Sequence, residues 1–206
     1  MNIRILSALA APMAIVAAQP ATAQTTDIAR VQQHLRALDS MVADFSQTDR
    51  QGRVLTGTMT LKRPGRIRFQ YEEGVPLLIV SDGRALTLID YQVKQVQRWP
   101  IGNSPLSVLL DPSRDITRYA RLRPTGDPRI LSVEARDPRR PEYGVITLAF
   151  LRDASAPAGL RLQGWVALDS QGNRTTIRLS NQRFNVPVAD SAFRWTDPRR
   201  TGANQR

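Results

Sequence analysis

The stretch Val54-Leu55-Thr56-Gly57-Thr58-Met59-Thr60-Leu61-Lys62-Arg63-Pro64-Gly65-Arg66-Ile67-Arg68-Phe69-Gln70-Tyr71 decides the fold. Its period is two. Leu55, Met59 and Leu61 fall on one face of an extended segment, and Thr56, Thr58, Thr60 and Lys62 on the other. Pro64-Gly65 marks a turn, beyond which Ile67, Phe69 and Tyr71 alternate with Arg66, Arg68 and Gln70. Two half-buried strands joined by a tight turn form an antiparallel hairpin with one apolar and one polar face.

The same alternation extends downstream. Leu77 to Val80 is a short apolar run ending at the turn Ser81-Asp82-Gly83; Ala85 to Ile89 returns beside it, and Val93 to Trp99 follows. Pro105 to Leu110 breaks the rhythm. Asn103 or Ser104 caps, Pro105 suits a first helical position and Asp111-Pro112 stops the element, which predicts a short helix with Leu106, Leu109 and Leu110 inward. Strands resume at Arg118 to Arg123, Ile130 to Ala135, Val145 to Leu151, Leu160 to Leu168 and Thr175 to Ser180. Asp169-Ser170-Gln171-Gly172-Asn173 joins the last two as a hairpin loop, and Arg136 to Pro141 is a charged loop. Phe193 and Trp195 suggest a final strand.

Upstream, Ile28, Val31, Leu35, Leu38 and Val42 recur at spacings of three and four, the stripe of a helix starting near Asp27 with Thr25 or Thr26 as its cap. His34, the single histidine, lies beside that stripe and is read as a partly exposed helix residue. The predicted fold is mainly β with a few helices: ten or so strands in an open curved antiparallel sheet, an incomplete β-barrel, with the helices as a lid over its apolar face. That face encloses either a cavity or an ordinary packed core. From the alternation, Leu55, Met59, Leu61, Ile67, Phe69, Leu78, Val80, Leu86 and Leu88 are assigned to it.

The first residues of the 206 read as an export signal. Arg4 charges the n-region, Ile5 to Ala18 is uncharged and mostly apolar, and Ala21-Thr22-Ala23 supplies a small-x-small cleavage pattern. The apolar run is too short, and Pro12 interrupts it too early, for a span of about 20 residues. The expected organisation is a signal peptide over 1–23, one domain over 24–197 and a disordered tail over 198–206, the exported chain being soluble after cleavage. The absence of cysteine excludes disulfides, thiolate metal sites, Cys nucleophiles and an N-terminal lipid anchor. The net charge of +11 comes from 27 arginines and two lysines, Lys62 and Lys94, against 18 acids. Export argues against nucleic acid as a partner and leaves anionic lipid surfaces or acidic proteins.

Catalytic patterns are missing. There is no Gly-x-Ser-x-Gly elbow, phosphate loop or dinucleotide fingerprint, and His34 in the first helix is badly placed to complete a triad. Glu72-Glu73 are neighbours whose side chains point apart and read as solvated charge; the 6% aromatic content offers no stacking platform for single strands. The chain is read as a non-enzyme with no metal and no cofactor.

Three pieces taken together carry a resemblance: Ala43-Asp44-Phe45-Ser46-Gln47-Thr48, Gly57 to Phe69, and Leu78-Ile79-Val80-Ser81-Asp82-Gly83-Arg84-Ala85-Leu86. Their order and spacing resemble the LolA-type outer-membrane lipoprotein carrier family, with its F-x-Q strand, G-x-x-x-x-K-R-P hairpin and I-V-S-D-G-x-x-L segment. Phe193-Arg194-Trp195 is similar to the family's closing F-x-F. The resemblance implies an apolar cavity for acyl chains under a helical lid. It implies acylated lipoproteins as cargo, an inner-membrane lipoprotein-releasing transporter as donor and an outer-membrane acceptor; we expect a monomer. It also implies that Arg63, at the Lys-Arg-Pro position, latches the lid when closed. Ile67 and Phe69 stand where the family commonly has an aromatic and a tryptophan, making this lining less aromatic. The alternatives are a lipoprotein- or lipid-sensing regulator on the same fold, or a carrier of another hydrophobic lipid.

Overall fold

Eleven strands alternate direction in one sheet because nearly every connection is a tight turn, which returns a strand beside its predecessor. The computed structural model describes residues 21–200 except 112 and 140. In chain order the elements are α1 (Ala21–Ala37), β1 (Ser40–Thr48), β2 (Val54–Lys62), β3 (Arg66–Tyr71), β4 (Leu77–Ser81), β5 (Ala85–Asp90) and β6 (Gln95–Pro100). Then come α2 (Ser107–Leu110), β7 (Ala120–Arg123), β8 (Ile130–Ala135), β9 (Val145–Arg152), β10 (Leu160–Leu168) and β11 (Arg174–Phe184). The sheet order is β6-β5-β4-β3-β2-β1-β11-β10-β9-β8-β7. The β1–β11 pairing fuses two meanders into one antiparallel surface, and β6 and β7 remain as separate edges, so the barrel is incomplete.

The inner face holds the main core. Met41, Phe45, Met59, Leu61, Ile67 and Phe69 from one half meet Val133, Leu148, Phe150 and Leu162 from the other, beneath Val31 and Leu35 of α1 and Leu109 and Leu110 of α2. Burying such a side chain is worth about 1.5–3 kcal/mol, which is why the helices stay on the sheet. Curvature comes partly from a bulge in β10, where the register shifts between Leu162 and Gly164. Gly164 has φ +148, and a Cβ there would collide with the Ile177 carbonyl oxygen. The outer face carries a second, smaller cluster. Residues past β11 cross beneath β3–β5 and press Phe193 and Trp195 onto Leu78, Val80 and Ile89.

Several expectations need correction. Helix α1 is already formed at Ala21, so Thr25 and Thr26 lie within it rather than capping it near Asp27; residues 1–20 lie outside the described residues. It stops at Ala37, which removes Leu38 and Val42 from the helical stripe: Leu38 is buried in the connection and Val42 belongs to β1. The stop is made from afar, by an Asn185 side chain that accepts from the amides of Asp39 (2.9 Å) and Ser40 (3.4 Å) and donates to the Ala37 carbonyl (3.3 Å). His34 is fully buried, not partly exposed. The segment around Phe193 forms a 3₁₀ turn over Asp190–Phe193 instead of a strand; Pro198–Arg200 forms another, and the rest of the expected tail, 201–206, lies outside the described residues.

Candidate functional site

Between the two meanders the inner face leaves a cavity of about 370 Å³. Phe69, Ile79, Leu86, Trp99, Trp165 and Ile177 wall it, Ser104, Pro105 and Leu106 roof it, and Gln47, Glu142, Asp169, Asn173 and Thr175 ring its open end. The aromatic floor is ordered edge to face: Phe45 meets Phe69 at 5.2 Å and Tyr71 at 5.3 Å, and Phe69 meets Trp165 at 6.2 Å between centroids. Tyr71 donates its hydroxyl to Gln47 Oε1 at 2.8 Å, and burial pushes its phenol up to about 12, with that hydrogen bond opposing. The phenol therefore stays neutral inside the apolar wall.

The opposite end is shut by the turn between β2 and β3. The Arg63 amide donates to the Asp39 carbonyl (2.8 Å) and Arg63 Nε to the Leu38 carbonyl (3.1 Å), both just past α1. Two residues on, the Gly65 amide donates to the carbonyl of Leu110, the last residue of α2 (3.2 Å). One turn thus holds the exits of both helices. Gly65, at φ +70, lies against Gly83, where a Cβ would come within 2.9 Å of the Gly83 Cα, and its carbonyl accepts from Ser81 Oγ at 2.7 Å. The Ser-Asp-Gly turn is therefore the seat on which the Arg63 turn rests. Desolvation pulls the Arg63 guanidinium down to about 10, with Asp111 and Asp39 opposing, so it remains charged at neutral pH. Its Nη1 and Nη2 are buried without a hydrogen-bond partner among the described residues.

The inner face collects most of the predicted residues. Met59, Leu61, Ile67 and Phe69 are buried there, Leu86 lines the cavity, and Leu55 is half-buried against the core. Leu88 stands directly opposite the wall residue Ile79 and so shares its face, half-buried. Leu78 and Val80 are corrected: they belong to the outer cluster under Phe193. Register explains it, since Ile79 pairs with Phe69 and takes the inward face, turning its two neighbours outward. Trp165, Trp99, Ile177 and Leu106 line the cavity without having been assigned to it. For Trp165 the alternation was misleading, because the bulge at Gly164 shifts the parity of β10 and turns the indole inward.

Among the described residues, no helix is long and apolar enough to cross a membrane. An open antiparallel sheet, an apolar cavity and a Lys-Arg-Pro-Gly turn clamping two lid helices now stand together. Residues 36–196 match the model of the family described as outer membrane lipoprotein carrier protein LolA. The chain belongs to this family. Among its relatives, the outer-membrane lipoprotein carrier protein of Chromobacterium violaceum is 29% identical over 90% of this chain and 91% of its own. That of Xanthomonas campestris pv. campestris is 30% identical over 78% of this chain and 79% of its own. Among solved structures, a LolA superfamily protein from Nitrosomonas europaea superposes with a TM-score of 0.45 at 12% identity, covering 84% of this chain and 98% of that one.

Proposed function

We propose that this LolA-family chain is a non-catalytic periplasmic carrier that shields the acyl chains of lipoproteins and moves them from the inner to the outer membrane. Each methylene exposed to water costs about 0.8 kcal/mol, so an acylated protein needs a sheltered route between membranes. The observation that carries the proposal is the apolar cavity beneath the Ser104–Leu106 segment, which leads into α2, a helix whose exit is held, like that of α1, by the Arg63 turn. Loading in this reading lifts the lid and breaks the bonds of Arg63, and their re-formation favours expulsion of the chains at the acceptor. In this reading Leu55, Met59, Leu61, Ile67, Phe69, Leu86 and Leu88 contribute the lining, joined by Ile79 and Trp165, and the signal peptide ends at Ala23.

Native mass spectrometry of the chain isolated from periplasm tests the proposal. The expected result is bound lipoprotein or its acylated N-terminal peptide, displaced when the cavity is filled by a synthetic triacylated peptide. Isolation with a different lipid that the triacylated peptide does not displace would reject lipoprotein as the cargo.

A further inference from the structure

Histidine 34 is the one imidazole of the chain, and it sits fully buried on the underside of the lid helix α1. Its ring meets Phe150 of β9 edge to face at 5.3 Å. Nδ1 lies 2.8 Å from the carbonyl oxygen of Pro157, in the turn between β9 and β10. A carbonyl only accepts, so the proton is on Nδ1, and in the neutral ring Nε2 is a bare lone pair. Nε2 is buried and has no hydrogen-bond partner among the described residues. Two further buried nitrogens in the same condition are Nη1 and Nη2 of Arg63, the charged group that bears on His34. Asp39 and Asp111 act in turn on Arg63.

Other ties of α1 are the ion pair of Asp27 with Arg152 at 2.7 Å, the bond that Gln32 Oε1 accepts from the Ile116 amide at 2.9 Å, and the attraction between Arg36 and Asp115. His34 is the member of this set whose charge changes between about pH 5 and 8. Accepting a proton there costs twice: the cation loses water, and it sits near the cation of Arg63. We propose that His34 is a positioning residue of the lid: while neutral it seats α1 on the β9–β10 turn, and on gaining a proton it loosens the helix and the Arg63 latch together. Mild acid then favours the open, loading-competent lid. The proposal rests on the carrier reading for its consequence and on the α1 geometry for its substance.

Desolvation first, and then Arg63, hold the His34 ring below the ordinary histidine value, with the Pro157 and Leu160 backbone contacts opposing. The folded state therefore binds fewer protons than the unfolded chain. The docking it supports is intact above the ordinary histidine range and is lost as pH falls through it.

Because the chain has one histidine, NMR of the untagged full chain reports a single ring titration. The expected midpoint lies below about 6.5. Protection of α1 amides from hydrogen exchange, corrected for the intrinsic rate, should be flat above about pH 6.5, fall below it, and level off once pH passes the folded midpoint. His34→Gln offers an amide donor and never titrates, so its α1 protection should lose that pH dependence whatever its level. Arg63→Leu removes the opposing cation and should move the His34 midpoint upward. An ordinary midpoint, α1 protection flat in pH in the wild type, or a wild-type pH response in His34→Gln would each overturn the proposal. Failure of the wild type to load a triacylated peptide at about pH 8 would instead sink the carrier reading, while the α1 response still decides the role of His34.

Discussion

The two ends of the sheet are held in different ways. At the open end three turns close on themselves. Asp49 accepts from the amides of Gln51 and Arg53, Asp90 from those of Gln92 and Val93, and Asp169 from those of Gln171 and Asn173. A bond between Arg50 Nη1 and Asn173 Oδ1, 3.0 Å and exposed, links two of these turns. At the shut end Asp82 and Asp153 close their own turns in the same way, and in addition bonds join segments far apart in the chain: Arg63 to Leu38, Gly65 to Leu110, Asn185 to Asp39, and Ser40 Oγ to the Val186 carbonyl. Turns that are complete in themselves let the mouth spread at little cost. In the proposed reading a lid whose exits depend on one turn releases there, and the contrast separates an adaptable mouth from a two-state latch.

The face assignment on which this contrast rests is broken most severely by Ile67→Glu. Ile67 is fully buried, so an uncompensated carboxylate there should cost on the order of 3–5 kcal/mol. Thr58→Glu, exposed on the outer face of the neighbouring strand and directly opposite Asp44, should cost about 1 kcal/mol or less. Urea unfolding of the pair checks both, and equal destabilisation would mean that the faces are misassigned.

At the shut end, Asn185→Ala removes three bonds around the end of α1. Loss of a cap of this kind typically costs about 1 kcal/mol. We expect a lower unfolding midpoint and faster amide exchange in the last turn of α1, with no change at the β10–β11 loop. Asn185 has φ +52, which glycine adopts freely, so Asn185→Gly should recover the backbone part of the loss and not the bonds. A midpoint unchanged in both variants would remove the long-range cap from the account.

The open end should hardly notice Arg50→Ala. An exposed bond of this type is worth at most about 1 kcal/mol, so the melting temperature should stay within error of the wild type. Acyl loading should be equal or faster. A loss as large as that of Asn185→Ala would show that the mouth is clamped too, and the contrast between the ends would disappear.

The same contrast explains what could be read from the sequence. The β2–β3 hairpin, the β10 boundaries and the Asp169–Asn173 loop were legible because their causes are local: alternation, a Pro-Gly turn and an Asp that bonds its own loop. Leu77 to Ser81 was legible as a strand and illegible as to face. Both of its sides are covered, one by the cavity wall and one by Phe193, and a continuous apolar run has no period to read. Trp165 was hidden by a bulge, and the end of α1 by an asparagine nearly 150 residues away. Buried His34 lay outside any pattern, since an imidazole on a helix shows no preference for core or surface until its Pro157 partner is in place. The Arg63 turn stood between, its position evident and its grip on two helices visible only in the fold.

That grip is tested most directly by assaying loading and transfer separately in Arg63→Leu. The substitution removes a bond from a buried, charged guanidinium, an interaction of about 1.5–3 kcal/mol that in the proposed reading exists only while the lid is closed. The variant should accept lipoprotein as well as the wild type and pass it to the outer-membrane acceptor poorly, with Arg63→Lys restoring only part of the transfer because an ammonium lacks the planar fork. Normal transfer by Arg63→Leu would contradict it, and the turn would then be a structural corner rather than a latch.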